Sequence, residues 1–257
     1  MSFEFLAPDA AAADERFTPL ARTPMERAAR AAGARFETRE GWSVAVGYAS
    51  LEHVLEACRR AAGWADVSHL GKLELHAASA DDLSAVVAQV AGGAPLELGT
   101  ATRAGDAWWL PLTADRALVV CEAGAVGGLR ERLEEAAASA AGTFSVVDAT
   151  CKYAAMTLVG PLAREVFARF TAIDVRPSAL PVAGFRPGSI ARTPSMLVRE
   201  GDDRFLILFG WALGAYVWEA VADAGAHLGG APVGVEALDE IAIGSARGAV
   251  VEEAGRA

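Results

Sequence analysis

Residues 63–75, Gly-Trp-Ala-Asp-Val-Ser-His-Leu-Gly-Lys-Leu-Glu-Leu, constrain the fold of this chain more than any other stretch. A tight polar group (Asp66, Ser68, His69) is followed by the Gly71-Lys72 step and then an alternating apolar run. That order predicts a turn delivering a half-buried strand over 71–76. Long elements on both sides frame it. Ser50 is placed to cap a helix running to Ala62, with Gly63 as its stop. Asp81 and Asp82 sit where the first turn of a helix over 80–90 favours negative charge.

The rest of the chain alternates in the same way. Residues 1–23 read as a loose arm ending at Thr23-Pro24, a helix N-cap followed by proline. A helix over 25–32 follows, stopped at Gly33. Strands are expected over 108–112 and 117–121, joined by Thr113-Ala114-Asp115-Arg116, and a helix over 127–140 broken by Gly142. The pattern then restarts with strands over 144–148 and 153–159, the Gly160-Pro161 turn and a helix over 162–171. Residues 177–194, rich in Pro and Gly, read as loop with short extended pieces. Strands over 195–198 and 204–208 and a helix over 212–224 complete it. Asp66-Val67-Ser68 and Asp148-Ala149-Thr150, 82 residues apart, each precede a strand and a helix. The expected fold class is therefore α+β: two related α/β units with mixed sheets, over 24–142 and 143–257, and a cleft where they meet.

Composition narrows the function. A formal charge of −10 with no basic stripe argues against a nucleic-acid partner. Cys58, Cys121 and Cys151 lack any Cys-x-x-Cys spacing, so no structural metal is expected, and an odd count suits a reducing cytoplasm. The apolar run over 205–217 is shorter than the roughly 20 residues a membrane helix needs, and the first 16 residues lack the pattern of a signal peptide.

Several side chains could carry chemistry. His69, following Asp66 and Ser68, is placed either to meet a ligand with an imidazole or to fix the turn before its strand. Trp108 or Trp109 could offer a ring face to a flat ligand; being adjacent in a strand, they point to opposite sides. Asp106 and Arg199 read either as ligand contacts or as solvated turn residues, and Tyr48 as a further contact.

Asp66 to Gly71 resembles the DVSHMG signature of the glycine-cleavage T-protein (aminomethyltransferase) superfamily. Gly33-Ala34-Arg35-Phe36, Gly41-Trp42, Tyr48, Glu52 and Ala62-Gly63 occur in that family's order ahead of it. Leu158 to Arg164 is similar to a second family motif, and Val217-Trp218, Ala224-Gly225, Gly234-Val235, Ala237 and Asp239 echo a third. The resemblance covers about residues 20–246. It implies a tetrahydrofolate-sized cleft, tetrahydrofolate as cofactor and a small amine-derived one-carbon donor. The implied cofactor-binding set is Tyr48, His69, Leu70, Trp108 and Arg199. The implied catalytic carboxylate, which would orient the folate nitrogens and complement the positive charge developing in methylene transfer, is Asp106.

The chain also departs from the family pattern. In strict register Gly105 occupies the catalytic position and Asp106 its neighbour. Leu206 stands where the family glutamate grips the pterin, Arg199 at its tyrosine, and Leu238 at its arginine. A third, β-rich family domain has no counterpart in 257 residues. The second half, through Val146 to Thr150, Gly160-Pro161 and 204–218, also resembles the gamma subunit of heterotetrameric sarcosine oxidase. That resemblance implies a catalytically silent subunit working with partner chains.

Overall fold

The computed structural model describes residues 20–140 and 142–242; the expected arm over 1–19 and the end of the chain beyond 242 lie outside the described residues. Within residues 20–23, Ala21–Arg22 forms β1 rather than a loose segment. Helix α1 (Glu26–Ala31) then begins from Met25, with no side-chain cap from Thr23. A hairpin of β2 (Arg35–Arg39) and β3 (Trp42–Gly47) follows. Its turn residues, Glu40 and Gly41, both take positive φ (48° and 75°), the geometry that matches the twist of the flanking strands.

Helix α2 (Leu51–Arg60) starts as expected, with Ser50 Oγ accepting the His53 amide. Gly63, however, does not stop it. It opens the fully buried strand β4 (Gly63–Asp66). A Cβ at Gly63 would stand 2.6 Å from Cys58 Sγ and 2.7 Å from Val233 Cγ1, so close packing fixes the glycine. Strand β5 (Gly71–Ala77) and helix α3 (Ala80–Val90) occur where the pattern placed them, with Ser79 Oγ accepting the Asp82 amide as cap.

Strands β6 (Thr102–Ala104), β7 (Ala107–Thr113) and β8 (Arg116–Cys121) form a meander that leads into helix α4 (Val126–Ala137). Then come β9 (Phe144–Asp148), β10 (Tyr153–Val159) and the short helix α5 (Ala163–Ala168). Within residues 177–194, expected as loop with short extended pieces, 185–190 form the strand β11 (Phe185–Ile190), paired along its whole length with β12 (Thr193–Gly201). Pro187 and Gly188 are tolerated there because β11 is the edge strand of its sheet, bridged on its outer side, among the described residues, only near Gly184 and Ile190. Strand β13 (Arg204–Gly210), helix α6 (Gly214–Ala226), β14 (Ala231–Pro232) and helical residues 235–242 complete the described chain.

The architecture is α+β with mixed sheets. A five-stranded sheet has the order β6-β7-β8-β5-β9, and a six-stranded sheet the order β11-β12-β13-β10-β4-β14. A third sheet, β1-β3-β2, flanks them. Leu73, Leu75, Trp109 and Val119 on one face of the five-stranded sheet pack against Leu83, Val87, Leu129 and Leu133 of α3 and α4. Its other face, with Leu110, Leu118 and Val120, meets Ala155, Val198, Leu206 and Leu208 of the six-stranded sheet. The far face of that sheet packs on α1, α5 and α6 through Phe167, Val217 and Val221. Each such Leu, Val or Phe side chain, fully buried, contributes about 1.5–3 kcal/mol.

The two sequence stretches exchange strands. β4, from the first, pairs with β10; β9, from the second, pairs with β5. The two Asp-x-Ser/Thr triplets sit at these crossings. Asp66 Oδ1 accepts the Ser68 amide at 2.9 Å, and Asp148 Oδ1 accepts the Thr150 amide at 2.9 Å. Each hydroxyl then reaches the opposite crossing. Ser68 Oγ accepts the Ala155 amide at 3.0 Å and Thr150 Oγ1 accepts the Lys72 amide at 3.1 Å. The faint sequence repeat is a repeated strand-crossing device.

Candidate functional site

A cleft of about 850 Å³ opens where the two large sheets and the β2–β3 hairpin converge. The loop after β4 contributes Val67, His69 and Leu70. The five-stranded sheet contributes Arg103, Asp106 and Trp108, and the six-stranded sheet Glu200, Arg204 and Leu206. Leu238 and Asp239 of the last helical segment close the far side. The volume falls in the range of small-molecule and cofactor sites, about 300–1,000 Å³.

One wall is tied across the two sheets. The Trp108 indole Nε1–H donates to Glu200 Oε1 at 2.8 Å, and Glu200 Oε2 accepts from Arg204 Nε at 3.0 Å. Arg103 lies opposite Trp108 in the β6–β7 register, which sets its guanidinium carbon 5.4 Å from the centre of the Trp108 ring. Glu200 sits at the register shift between β12 and β13, between Arg199 and Gly201. Strand alternation sets Glu200 on the same face as Met196 and Val198, the face that meets the five-stranded sheet, and so its carboxylate reaches the facing indole.

The opposite wall is built on the loop after β4. His69 is 9% exposed and its Nδ1 has no hydrogen-bond partner. Burial, reinforced by the positive charges of Lys72 and Arg39, brings its pKa down to about 4, so the imidazole is neutral at physiological pH. Lys72 behind it is fully buried, and its Nζ donates to the Ser68 carbonyl at 2.7 Å. Burial lowers that ammonium to about 7 against the opposing pull of Asp66. Burial likewise raises the Asp66 carboxyl above its ordinary range. At the acidic end, partial burial and then Asp239 hold Glu122 above the usual carboxylate range; Arg103 opposes and Asp106 adds to the rise.

Of the residues singled out from the sequence, the cleft brings together Asp106, His69, Leu70 and Trp108. Asp106 occupies the exposed Gly105-Asp106 turn between β6 and β7, where Gly105 takes φ +59°. Trp108 and Trp109 divide between the two faces of their sheet as alternation requires, and Trp109 is buried against α3 and α4. Tyr48 and Arg199 do not line the cleft. Tyr48 packs against the helix-covered core, its ring 6.5 Å from that of Trp218. Arg199 is buried, with Nη1 donating to the Leu180 carbonyl and Nε to the Gly201 carbonyl, which anchors the loop before β11. Leu206 and Leu238, at the departed family positions, do line the cleft and make its floor apolar.

Arg103, Glu200 and Arg204 are wall residues that no sequence motif singled out. The available signal was a charged residue closing the apolar run of β12 immediately before Gly201, at the place where a bulge forms. Among the described residues no group of three or more His, Cys, Asp or Glu is arranged to hold a metal ion. No described helix is long and apolar enough to cross a membrane.

Comparison with known proteins places the chain in a family. The model of the GCVT N-terminal domain matches residues 25–253, and this chain belongs to that family. It is 28% identical over 233 residues to an aminomethyltransferase of Saccharopolyspora erythraea, covering 86% of this chain and 62% of the relative. It is 27% identical over 237 residues to an aminomethyltransferase of Symbiobacterium thermophilum, covering 86% and 63%. The chain thus spans less than two thirds of the length of these relatives.

Two solved structures share the fold. Glycine cleavage system aminomethyltransferase T from Bartonella henselae superposes with a TM-score of 0.69 at 18% identity, over 85% of this chain and 60% of that one. A chain of heterotetrameric sarcosine oxidase from Corynebacterium sp. U-96 superposes with a TM-score of 0.62 at 23% identity, over 83% of this chain and 98% of that one.

Proposed function

We propose that this chain is a tetrahydrofolate-binding, aminomethyltransferase-like protein acting on one-carbon units from glycine- or sarcosine-type amines, with part of the family's catalytic set replaced. The observation that carries this reading is the joint presence, on one cleft of about 850 Å³, of the Asp106 carboxylate, the Trp108 indole and the neutral His69 imidazole. A flat, polar heteroaromatic ligand suits such a lining. The indole offers ring contact, and the unpartnered His69 Nδ1 marks unused hydrogen-bonding capacity close by.

In this reading tetrahydrofolate, when bound, supplies the nitrogens that accept the one-carbon unit. Asp106 orients that edge and complements the positive charge that develops there. Leu70 and Leu206 exclude water beneath it. Isothermal titration with tetrahydrofolate tests the reading: saturable heat is expected, and silence at millimolar ligand sinks it. Replacing Asp106 by Asn is then expected to abolish one-carbon transfer while leaving binding in place.

A second reading follows from Leu206 and Leu238, which put apolar side chains at two positions where the family resemblance implies a carboxylate and a guanidinium. A cleft altered in this way suits a non-catalytic subunit of a heteromeric sarcosine oxidase or a related amine-demethylating complex. Native mass measurement separates the two: a stoichiometric complex with such an oxidase supports the subunit, and a free chain that transfers one-carbon units excludes it.

A further inference from the structure

The cleft has a neighbour. A cavity of about 630 Å³ lies beyond the Trp108 wall, reaching Arg59, Gly160 and Asp203. Arg103, Trp108, Glu200 and Arg204 line both spaces, so this group of side chains is the partition between them. The partition is held by a single polar chain: Trp108 Nε1–H to Glu200 Oε1, and Arg204 Nε to Glu200 Oε2. Glu200 thus bridges an indole on the five-stranded sheet and a guanidinium on the six-stranded sheet.

An indole is free to rotate about two side-chain torsions unless packing or a hydrogen bond fixes it. Trp108 is 8% exposed, and the Arg103 guanidinium lies over its ring. Its polar edge is satisfied by Glu200 alone among the described residues. The acceptor is a carboxylate, held in an ion pair with Arg204, and a bond from the indole to an ionised acceptor is charge-assisted, roughly twice as strong as a neutral one. Removing that acceptor leaves a buried N–H without a partner, and the ring is driven to turn toward water.

We infer that Glu200 is a positioning residue for the cleft: it fixes the Trp108 ring as a rigid wall against which a flat ligand stacks, and it closes the cleft off from the cavity behind. This rests on the ligand-binding reading above. It adds a residue that neither the sequence motifs nor the cleft's apolar floor pointed to, and it assigns the specificity for ring-shaped ligands to a contact between the two sheets.

Three variants of the full chain test it. Glu200→Gln keeps an oxygen acceptor for the indole, Glu200→Leu keeps bulk without an acceptor, and Trp108→Phe isolates the contribution of this ring among the six tryptophans. Glu200→Leu is expected to weaken tetrahydrofolate binding by about tenfold, and Glu200→Gln to recover most of it. Acrylamide quenching without ligand gives an independent readout. Quenching is expected to rise in Glu200→Leu, and the rise to vanish when Trp108→Phe is added. Unchanged quenching in Glu200→Leu overturns the inference, as does affinity equal to that of the parent chain. If the parent chain binds no tetrahydrofolate, the folate reading fails, and the quenching series alone decides whether Glu200 holds the ring.

Discussion

Lys72 Nζ donates to the Ser68 carbonyl at 2.7 Å, and both residues are fully buried. The bond closes the loop that carries the chain from the six-stranded to the five-stranded sheet. A lysine in that position has its stem in the core and its ammonium at the crossing, where Asp66 and Asp148 supply opposite charge. The cost of burial still prevails, and it makes the crossing sensitive to pH.

The pKa of Lys72 falls to about 7 in the folded chain from an ordinary value of 10.5, with burial as the leading cause. The unfolded chain therefore binds the extra proton across that interval, and stability rises with pH through it. The slope is at most about 1.4 kcal/mol per pH unit. Above 9 the buried thiols of Cys58 and Cys121, raised to about 11, act with the opposite sign. Denaturant unfolding between pH 7 and pH 9 is expected to show the rise in the parent chain and a flat profile in Lys72→Met. A rise that persists in Lys72→Met assigns it to another group.

His69 behaves differently on the acid side. Its pKa drops from 6.5 to about 4 through burial and the fields of Lys72 and Arg39, so stability is lost as pH falls through that range. The full loss is about 3 kcal/mol. Asp66, whose carboxyl is raised by burial, contributes with the opposite sign as pH falls through its raised pKa. The difference between the parent chain and His69→Gln isolates the histidine. Thermal melts at stepped pH should show a shallower acid decline in His69→Gln, and parallel declines would contradict the assignment.

Gly234→Ala probes the closing segment of the cleft. A Cβ at Gly234 would stand 2.0 Å from the Val46 carbonyl oxygen and 2.3 Å from the Gly47 nitrogen. Those are backbone atoms of β3 and cannot rotate away. The substitution should cost about 3 kcal/mol or more and displace Leu238 and Asp239 from the cleft. Chemical denaturation measures the first effect and ligand titration the second; a variant as stable as the parent chain refutes the packing argument.

Leu206→Glu tests the apolar floor. Leu206 is 1% exposed and lies opposite Thr157 in the β10–β13 register, with both residues lining the cleft. A carboxylate there should lower stability by about 1–3 kcal/mol, the cost of a partly satisfied buried polar group. If the cleft takes a pterin-like ring, tetrahydrofolate affinity should rise by about tenfold. Titration of the purified variant reads this directly, and unchanged or weakened binding counts against Leu206 as the site of the lost contact.

Local signals located most of the framework. Helix α3 falls over the expected residues because its cap, its acidic first turn and its apolar spacing agree. The strands from β7 to β10 were legible because alternation and turn residues bracket them. The β2–β3 hairpin was not, since β2 (Arg35–Arg39) carries charge along a largely exposed strand and shows no apolar period. Its one local cue was Glu40-Gly41. Strand β4 was hidden for another reason: its four residues are all buried, so they show no alternation after the helix.

The candidate site divides along the same line. The sequence by itself determined the turn and strand over Asp66 to Leu75 and the family to which the chain belongs. These depend on neighbours a few residues apart, where backbone preference and hydrogen-bonding side chains act. The tertiary structure decided the exchange of β4 and β9 between sheets, the withdrawal of Tyr48 and Arg199 from the cleft, and the bond that joins Trp108 to Glu200. Those two partners are 92 residues apart in the chain. Strand alternation turns the glutamate to the face shared with Met196 and Val198, and the packed sheets bring it to the indole, so their contact depends on packing between distant strands.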